Sequence, residues 1–384
     1  MKDKECKVIA FYLPQFHAIK ENDEAYGKGF TEWTNTKKAK PLFDGHYQPR
    51  TPYEKNYYNL LDEGVMEKQA KLAKDNGVYG FCYYHYWFKG GHKLLEQPIE
   101  RMLKNPKIDI PFCLSWANEN WSKRWDGGNH DIIVEQDYED YEDIYAHVDY
   151  LCQFFKDPRY ICEDGKPVLL IYKPELIPNL KKVVRLIRKR IQENGFKGVK
   201  LIVQYPKYFF DGAHLDYFDA YVQFQPRFIQ EYQKYSSRSN IRQWIKKMLL
   251  LMGMKKLVFK AGDILYKKNS QKNHCNQLEI RSYDDDWNKI IQYEVKDERL
   301  IAGAFVDWDN TARNKNGLVY KGTSPEKFEK YMTKLVEKVD KEYSSEFIFI
   351  NAWNEWAEGA YLEPDEKYEF AYLNALKKSL KNNN

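Results

Sequence analysis

The chain has 384 residues with a mass of 46.0 kDa and is 43% hydrophobic, enough for one large core or two smaller ones. Its net charge of +5 is uneven: twelve Lys/Arg face two acids between Arg227 and Lys272, so the rest of the chain carries about −5. That excludes a generally basic nucleic-acid binder, and no run approaches the ~18 apolar residues of a membrane span.

In chain order, apolar β runs are predicted at Val8–Leu13, Val78–Tyr84, Ile110–Trp116, Pro167–Tyr172, Val199–Gln204, Phe218–Phe224, Leu300–Val306 and Glu346–Ala352. Helical patterns fall at Val65–Asn76, Leu94–Lys104, Tyr138–Phe155, Ile177–Asn194, Ile241–Met252, Tyr283–Val295, Pro325–Tyr343 and Asp365–Lys381. Strands that are apolar along their whole length are buried on both faces, which calls for a parallel sheet covered by helices. The α/β alternation predicts a single (β/α)8 barrel over residues 1–384, with residues 227–275 as a basic insert after the sixth strand. A doubly wound open sheet is the alternative. It is weakened because Pro14-Gln15-Phe16-His17, not a glycine-rich fingerprint, follows the first strand. The connection from Pro14 to Asp62 is too long for an ordinary loop, and its aromatic content predicts that it folds over the site.

In such a barrel the chemistry gathers at the C-terminal strand ends. Those ends carry Tyr12, Gln15 and His17; His85; Trp116, Asn118, Glu119 and Trp121; Gln223 and Gln225; Asp307 and Asp309; and Trp353, Asn354, Glu355 and Glu358. At the last strand, Glu355 and Glu358 stand three residues apart among tryptophans. Burial beside indole would raise one carboxyl and keep it as an acid, while the other stays ionised as a base. That division of labour serves glycoside cleavage, with aromatic planes for the faces of a sugar. Asp307, Asp309 and Glu119 are the competing carboxylates.

The six cysteines are scattered without CxxC spacing, no HExxH or aspartate-rich metal motif is present, and no metal or cofactor is expected. His85, among Tyr83, Tyr84, Tyr86 and Trp87, is expected as a core or substrate-bonding histidine rather than a metal ligand. The chain lacks a G-x-S-x-G elbow. Met1–Lys7 shows no signal core, so a cytoplasmic location is expected. Ile241–Met252 combines apolar bulk with clustered lysines, as an outer barrel helix or as a peripheral contact with anionic lipid at the inner membrane face.

Several segments together resemble the WbsX-like family, which is similar to the family 99 glycoside hydrolases, the endo-α-mannosidases. They are Ala10–His17, Gly29–Trp33, His46–Arg50, Gly80–Trp87, Trp116–Trp121 and Asn354–Gly359. The resemblance covers roughly Lys7 to Tyr372. It implies a (β/α)8 barrel and retaining cleavage of α-linked, mannoside-like sugars in a cell-surface polysaccharide or its precursor. It also implies roles: Glu355 would activate the sugar's own 2-hydroxyl, which attacks the anomeric carbon, and Glu358 would be the acid and base. Trp33, His85, Trp116, Asn118, Glu119 and Asp307 would shape the sugar subsites. The related hydrolases carry His between Trp356 and the second Glu, where this chain has Ala357, which bears on mannose specificity. WbsX-like proteins are also named as glycosyltransferases of lipopolysaccharide or capsule assembly. A transferase using a nucleotide- or lipid-linked sugar is therefore the alternative, with Asp307-Trp308-Asp309 its formal metal-nucleotide pattern. A catalytically silent glycan binder is the third reading.

Overall fold

The computed structural model describes residues 5–123, 131–204, 215–236 and 278–381. Eight parallel strands form the centre: β1 Lys7–Tyr12, β2 Val78–Phe88, β3 Phe112–Trp116, β4 Lys166–Ile171, β5 Lys200–Val203, β6 Ala220–Val222, β7 Leu300–Phe305 and β8 Phe347–Asn351. Each pairs with its neighbour, and β1 pairs with both β8 and β2, so the sheet closes into a barrel and has no free edge. All eight predicted strands are present. The open-sheet alternative is excluded by that closure.

The helices are α1 Lys20–Tyr26, α2 Glu32–Lys38, α3 Val65–Asp75, α4 Gln97–Lys104, α5 Tyr141–Phe155, α6 Leu180–Glu193, α7 Arg227–Ser236, α8 Tyr283–Gln292, α9 Pro325–Glu342 and α10 Ala371–Lys381. The predicted helix Ile241–Met252, and most of the basic insert with it, lies outside the described residues. α6 shows why the outer layer forms. Leu180, Val183, Val184, Ile187 and Ile191 recur at helical spacing and are buried, while the lysines and arginines between them face outward. Burying each such side chain contributes roughly 1.5–3 kcal/mol. Side-chain oxygens of Asp140, Ser282 and Ser324 accept backbone N–H bonds at the starts of α5, α8 and α9 and set where those helices begin.

Strand parity decides what reaches the barrel mouth. Phe11 packs against Tyr84, Phe224 and Phe349 with ring centroids 5.8, 5.2 and 5.5 Å away, across the barrel interior. Tyr84 pairs with Ser115 in register, so both share that inner face. Tyr12, His85 and Trp116 have the opposite parity. Gly303 in β7 is required by space: a Cβ there would lie 1.8 Å from the Gln223 carbonyl oxygen. Among the described residues no helix is long and apolar enough to cross a membrane.

Candidate active site

Beyond β8 the chain forms a short hairpin in which Asn354-Glu355 pairs with Ala360-Tyr361 around one turn of 3-10 helix, Trp356–Glu358. Gly359 closes that turn with a φ of +61°, and a Cβ there would meet the Cβ, N and O of Asp309 at 2.9, 3.0 and 3.2 Å. Glycine thus lets the β8 turn press against the β7 end, where the Asp309 N–H donates to the Glu358 carbonyl at 2.7 Å.

The two predicted catalytic carboxylates meet on one guanidinium. Arg313 Nη1 donates to Glu358 Oε1 at 2.5 Å, and Nη2 donates to Glu355 Oε2 at 3.1 Å. The same Nη2 reaches both oxygens of a third acid, Glu32, at 2.9 and 3.1 Å. Glu32 is fully buried at the start of α2, and its Oε1 also accepts the Ala357 N–H at 2.8 Å. Three carboxylates therefore share one cation. Burial, followed by the charges of Glu358 and Glu32, holds Glu355 well above the ordinary carboxylate range against the pull of Arg313. Burial also raises Glu32, opposed by Arg313 and the Ala357 N–H. A raised carboxyl at this turn is what the sequence leads one to expect of the acid. It falls on Glu355, to which the family resemblance gives the base role.

Beside it lies a second acidic pair at the β7 end. Asp307 Oδ2 accepts Arg50 Nη2 at 2.8 Å, and Oδ1 accepts the Trp308 N–H at 2.7 Å. Asp309 Oδ2 accepts Gln48 Nε2 and His46 Nε2, both at 2.8 Å, and Oδ1 accepts Thr311 Oγ1 at 2.5 Å. The Leu42 N–H donates to His46 Nδ1 at 3.1 Å, which puts the neutral ring's proton on Nε2, toward Asp309. Burial pushes Asp309 up, but His46, Arg50 and Thr311 outweigh it and leave the carboxyl below its usual value. Burial dominates at Asp307, which stays raised despite Arg50.

The other predicted residues divide by location. The backbone carbonyl of Gln15 accepts the Glu32 N–H at 3.0 Å, beside the carboxylate cluster. Its amide is buried and makes no hydrogen bond among the described residues. His17 is buried, and desolvation lowers its pKa to about 4, so it is neutral at physiological pH. Glu119 lies at the partly open rim and pairs with Lys173 Nζ at 2.7 Å.

Others are taken up in internal contacts. Tyr12 points out of the barrel and donates to Gln69 of α3 at 2.6 Å. His85 shares a 2.9 Å Nε2–Nε2 contact with His147 of α5, and burial drives its pKa to about 3. Trp116 packs edge-on against that same His147. Asn118 clamps the Lys173 backbone through both amide atoms at 2.8 Å. Asn354 does the same to Leu13 at 2.7 and 3.0 Å. The Trp121 indole donates to Asn22 and the Trp33 indole to the Tyr58 carbonyl. Trp353 is 0% and Trp356 1% exposed, so the indoles around the pair are core and not sugar platforms. Ala357 is also wholly buried.

Arg313 and Glu32 were missed. Arg313 lies eight residues past β7, where nothing local marks it, and Glu32 was noticed only within the Phe30-Thr31-Glu32-Trp33 segment. The available signal was an acid in a long aromatic loop. Among the described residues, no three His, Cys, Asp or Glu side chains converge as a metal-holding group.

A sequence profile for the family described as Glycosyltransferase WbsX matches residues 8–376. Two curated relatives, each an uncharacterized protein WxcX from a strain of Xanthomonas campestris pv. campestris, are 34% identical over 381 residues, or 97% of this chain. The chain spans about half (49%) of those relatives' length. A solved structure described as a glycoside hydrolase-like protein superposes with a TM-score of 0.54 at 13% identity, covering 99% of this chain and 95% of that one. The GH99 endo-alpha-mannosidase from Bacteroides thetaiotaomicron, solved in complex with bis-tris-propane, gives 0.51 at 13% identity, covering 100% and 98%. At that identity the likeness is one of fold: the (β/α)8 barrel.

Proposed function

The chain belongs to the WbsX family, and from that premise we propose that it is a carbohydrate-active enzyme. It would cleave or transfer α-linked, mannoside-like sugars of a cell-surface polysaccharide or its precursor with retention of configuration. The observation that carries the reading is the Arg313-bridged pair Glu355 and Glu358 at the barrel's C-terminal mouth, with Glu355 held above the ordinary range.

In the proposed reaction Glu355 takes the proton of the sugar 2-hydroxyl as that oxygen closes on C1. The C1–leaving-group bond breaks, and the departing oxygen takes the proton of Glu358. Water then opens the three-membered ring at C1, giving its proton to Glu358, while Glu355 returns a proton to O2. A raised Glu355 is a stronger acceptor toward a weakly acidic hydroxyl, but it is ionised only at higher pH. For Glu358 to donate, Arg313 Nη1 must leave its carboxylate. Glu32 and the second contact to Glu355 keep the guanidinium at the site meanwhile.

The test incubates the protein with surface polysaccharide and lipid-linked oligosaccharide and follows new reducing ends by mass spectrometry. Glu358→Gln runs in parallel and nucleotide sugars in a separate tube. New reducing ends with wild type alone support the reading. Chain growth only with a nucleotide sugar overturns hydrolysis in favour of transfer. An aryl glycoside with a good leaving group assigns the acid, because the variant lacking the acid keeps its rate on that substrate. The formal Asp307-Trp308-Asp309 pattern speaks against metal-nucleotide binding: Arg50, His46, Gln48 and Thr311 already hold both aspartates. Cytoplasmic placement, with contact to anionic lipid through the basic insert, belongs to the same proposal.

A further inference from the structure

Behind the carboxylate-bearing turn sits an acid that the proposed chemistry does not use. Glu363 follows the hairpin strand, is 8% exposed, and takes part in no ion pair among the described residues. Its Oε2 accepts the Trp356 indole N–H at 2.7 Å and the Tyr58 hydroxyl at 2.8 Å, and its Oε1 accepts Gln69 Nε2 at 2.7 Å. Two further donors point the same way: Tyr12 into Gln69 Oε1 at 2.6 Å and Asn354 Nδ2 toward the Tyr58 oxygen at 3.5 Å. β1, α3, the long first loop and the turn after β8 thus send their hydrogens toward one carboxylate. Trp356 is also stacked on Tyr361 with centroids 3.8 Å apart and braced by Trp33 at 5.3 Å. It is the residue between Glu355 and Ala357.

We infer that Glu363 is a positioning residue: it fixes the Trp356 indole and through it the directions in which Glu355 and Glu358 point. The inference rests on the reading of that pair as catalytic. Converging donors favour the carboxylate form, while burial moves the pKa of Glu363 up to about 7 against the bonds from Trp356, Gln69 and Tyr58. The titratable groups facing it are the phenols of Tyr58 and, through Gln69, Tyr12, both raised well above the usual range by burial and both neutral here. Protonating Glu363 would set a fourth hydrogen among donors, and the indole would lose its anchor.

The conservative variant is Glu363→Gln. Its amide nitrogen would face Gln69 Nε2 until Gln69 turns over, which leaves the Tyr12 hydroxyl opposite a donor. Expected is a fall in kcat of ~10–100-fold with KM within about twofold, and loss from the pH profile of the limb near 7. Because folding raises the Glu363 pKa, stability is lost as pH rises through 7. The variant's Tm should therefore gain on wild type between pH 5 and 8. Trp356→Phe, which keeps the stacking and removes only the N–H, should repeat the kcat loss. Crystal structures of wild type and Glu363→Gln supply the readout that needs no turnover: displaced Glu355 and Glu358 carboxyls are expected. Superimposable carboxyls, or identical kcat across pH 5–8, overturn the inference. Displaced carboxyls in a protein whose wild type turns over no glycan would instead leave positioning standing and remove the catalytic reading.

Discussion

Two acidic clusters sit on neighbouring turns of one barrel mouth and are built oppositely. At the β7 end Asp307 and Asp309 are matched by Arg50, His46, Gln48 and Thr311. At the β8 end Glu32, Glu355 and Glu358 divide a single Arg313. A matched buried cluster holds the long loop onto the barrel. Where three carboxylates divide one guanidinium among the described residues, burial and like charge hold Glu355 well above the ordinary carboxylate range, at a cost in stability. Adjacent carboxylates in one barrel can therefore be told apart by their partners, where their positions along the chain make them look alike.

The largest effect expected from that contrast is on turnover. Glu358→Gln should lower kcat ~10²–10⁴-fold, seen as loss of new reducing ends, while glycan binding by calorimetry persists. The matched cluster should answer in stability instead. Arg50→Ala leaves two buried aspartates without their cation and should cost about 3–5 kcal/mol in chemical denaturation. An equal loss in Arg313→Ala would erase the distinction between the clusters. Glu355→Gln sharpens it further. Folding raises the Glu355 pKa, so the stability linked to its proton is present at low pH and disappears as pH rises through the folded value. This variant should be inactive yet melt higher than wild type at pH 8, with the gap narrowing toward pH 5. A subtler shift is expected in Arg313→Ala. Without the guanidinium Glu355 and Glu32 hold their protons to higher pH, so the acid limb of any residual activity should move upward. Smallest is the effect of the insert: co-sedimentation with anionic vesicles should rise modestly over neutral ones, and no difference would remove the lipid contact.

The barrel was legible because each strand is an uninterrupted apolar run, and burial on both faces leaves few other arrangements. That same uniformity concealed parity. Along Val78–Phe88 no alternation of polar and apolar residues marks which side faces the helices, so His85 was grouped with the rim although it meets His147 of α5. Asn118 and Asn354 looked like sugar ligands because an amide at a strand end serves equally well to clamp backbone. α1 and α2 were not anticipated. Each has seven residues, and their partners are distant in sequence: Asn22 and Tyr26 of α1 bond Trp121 and Ser122 beyond β3, while Glu32 of α2 meets the β7 and β8 turns. Glu355 and Glu358 were visible because both carboxylates lie within one local motif. Arg313 was not, because its meaning comes from three acids gathered by the fold.

That gathering spans the order of synthesis. Glu32 leaves the ribosome 281 residues ahead of Arg313, and Glu355 another 42 behind it. Until the turn beyond the last strand is made, the early acid lacks the Ala357 N–H, and Arg313 lacks two of its three carboxylates. A growing chain therefore carries no assembled acid cluster, and any glycan chemistry here begins only when translation has passed β8.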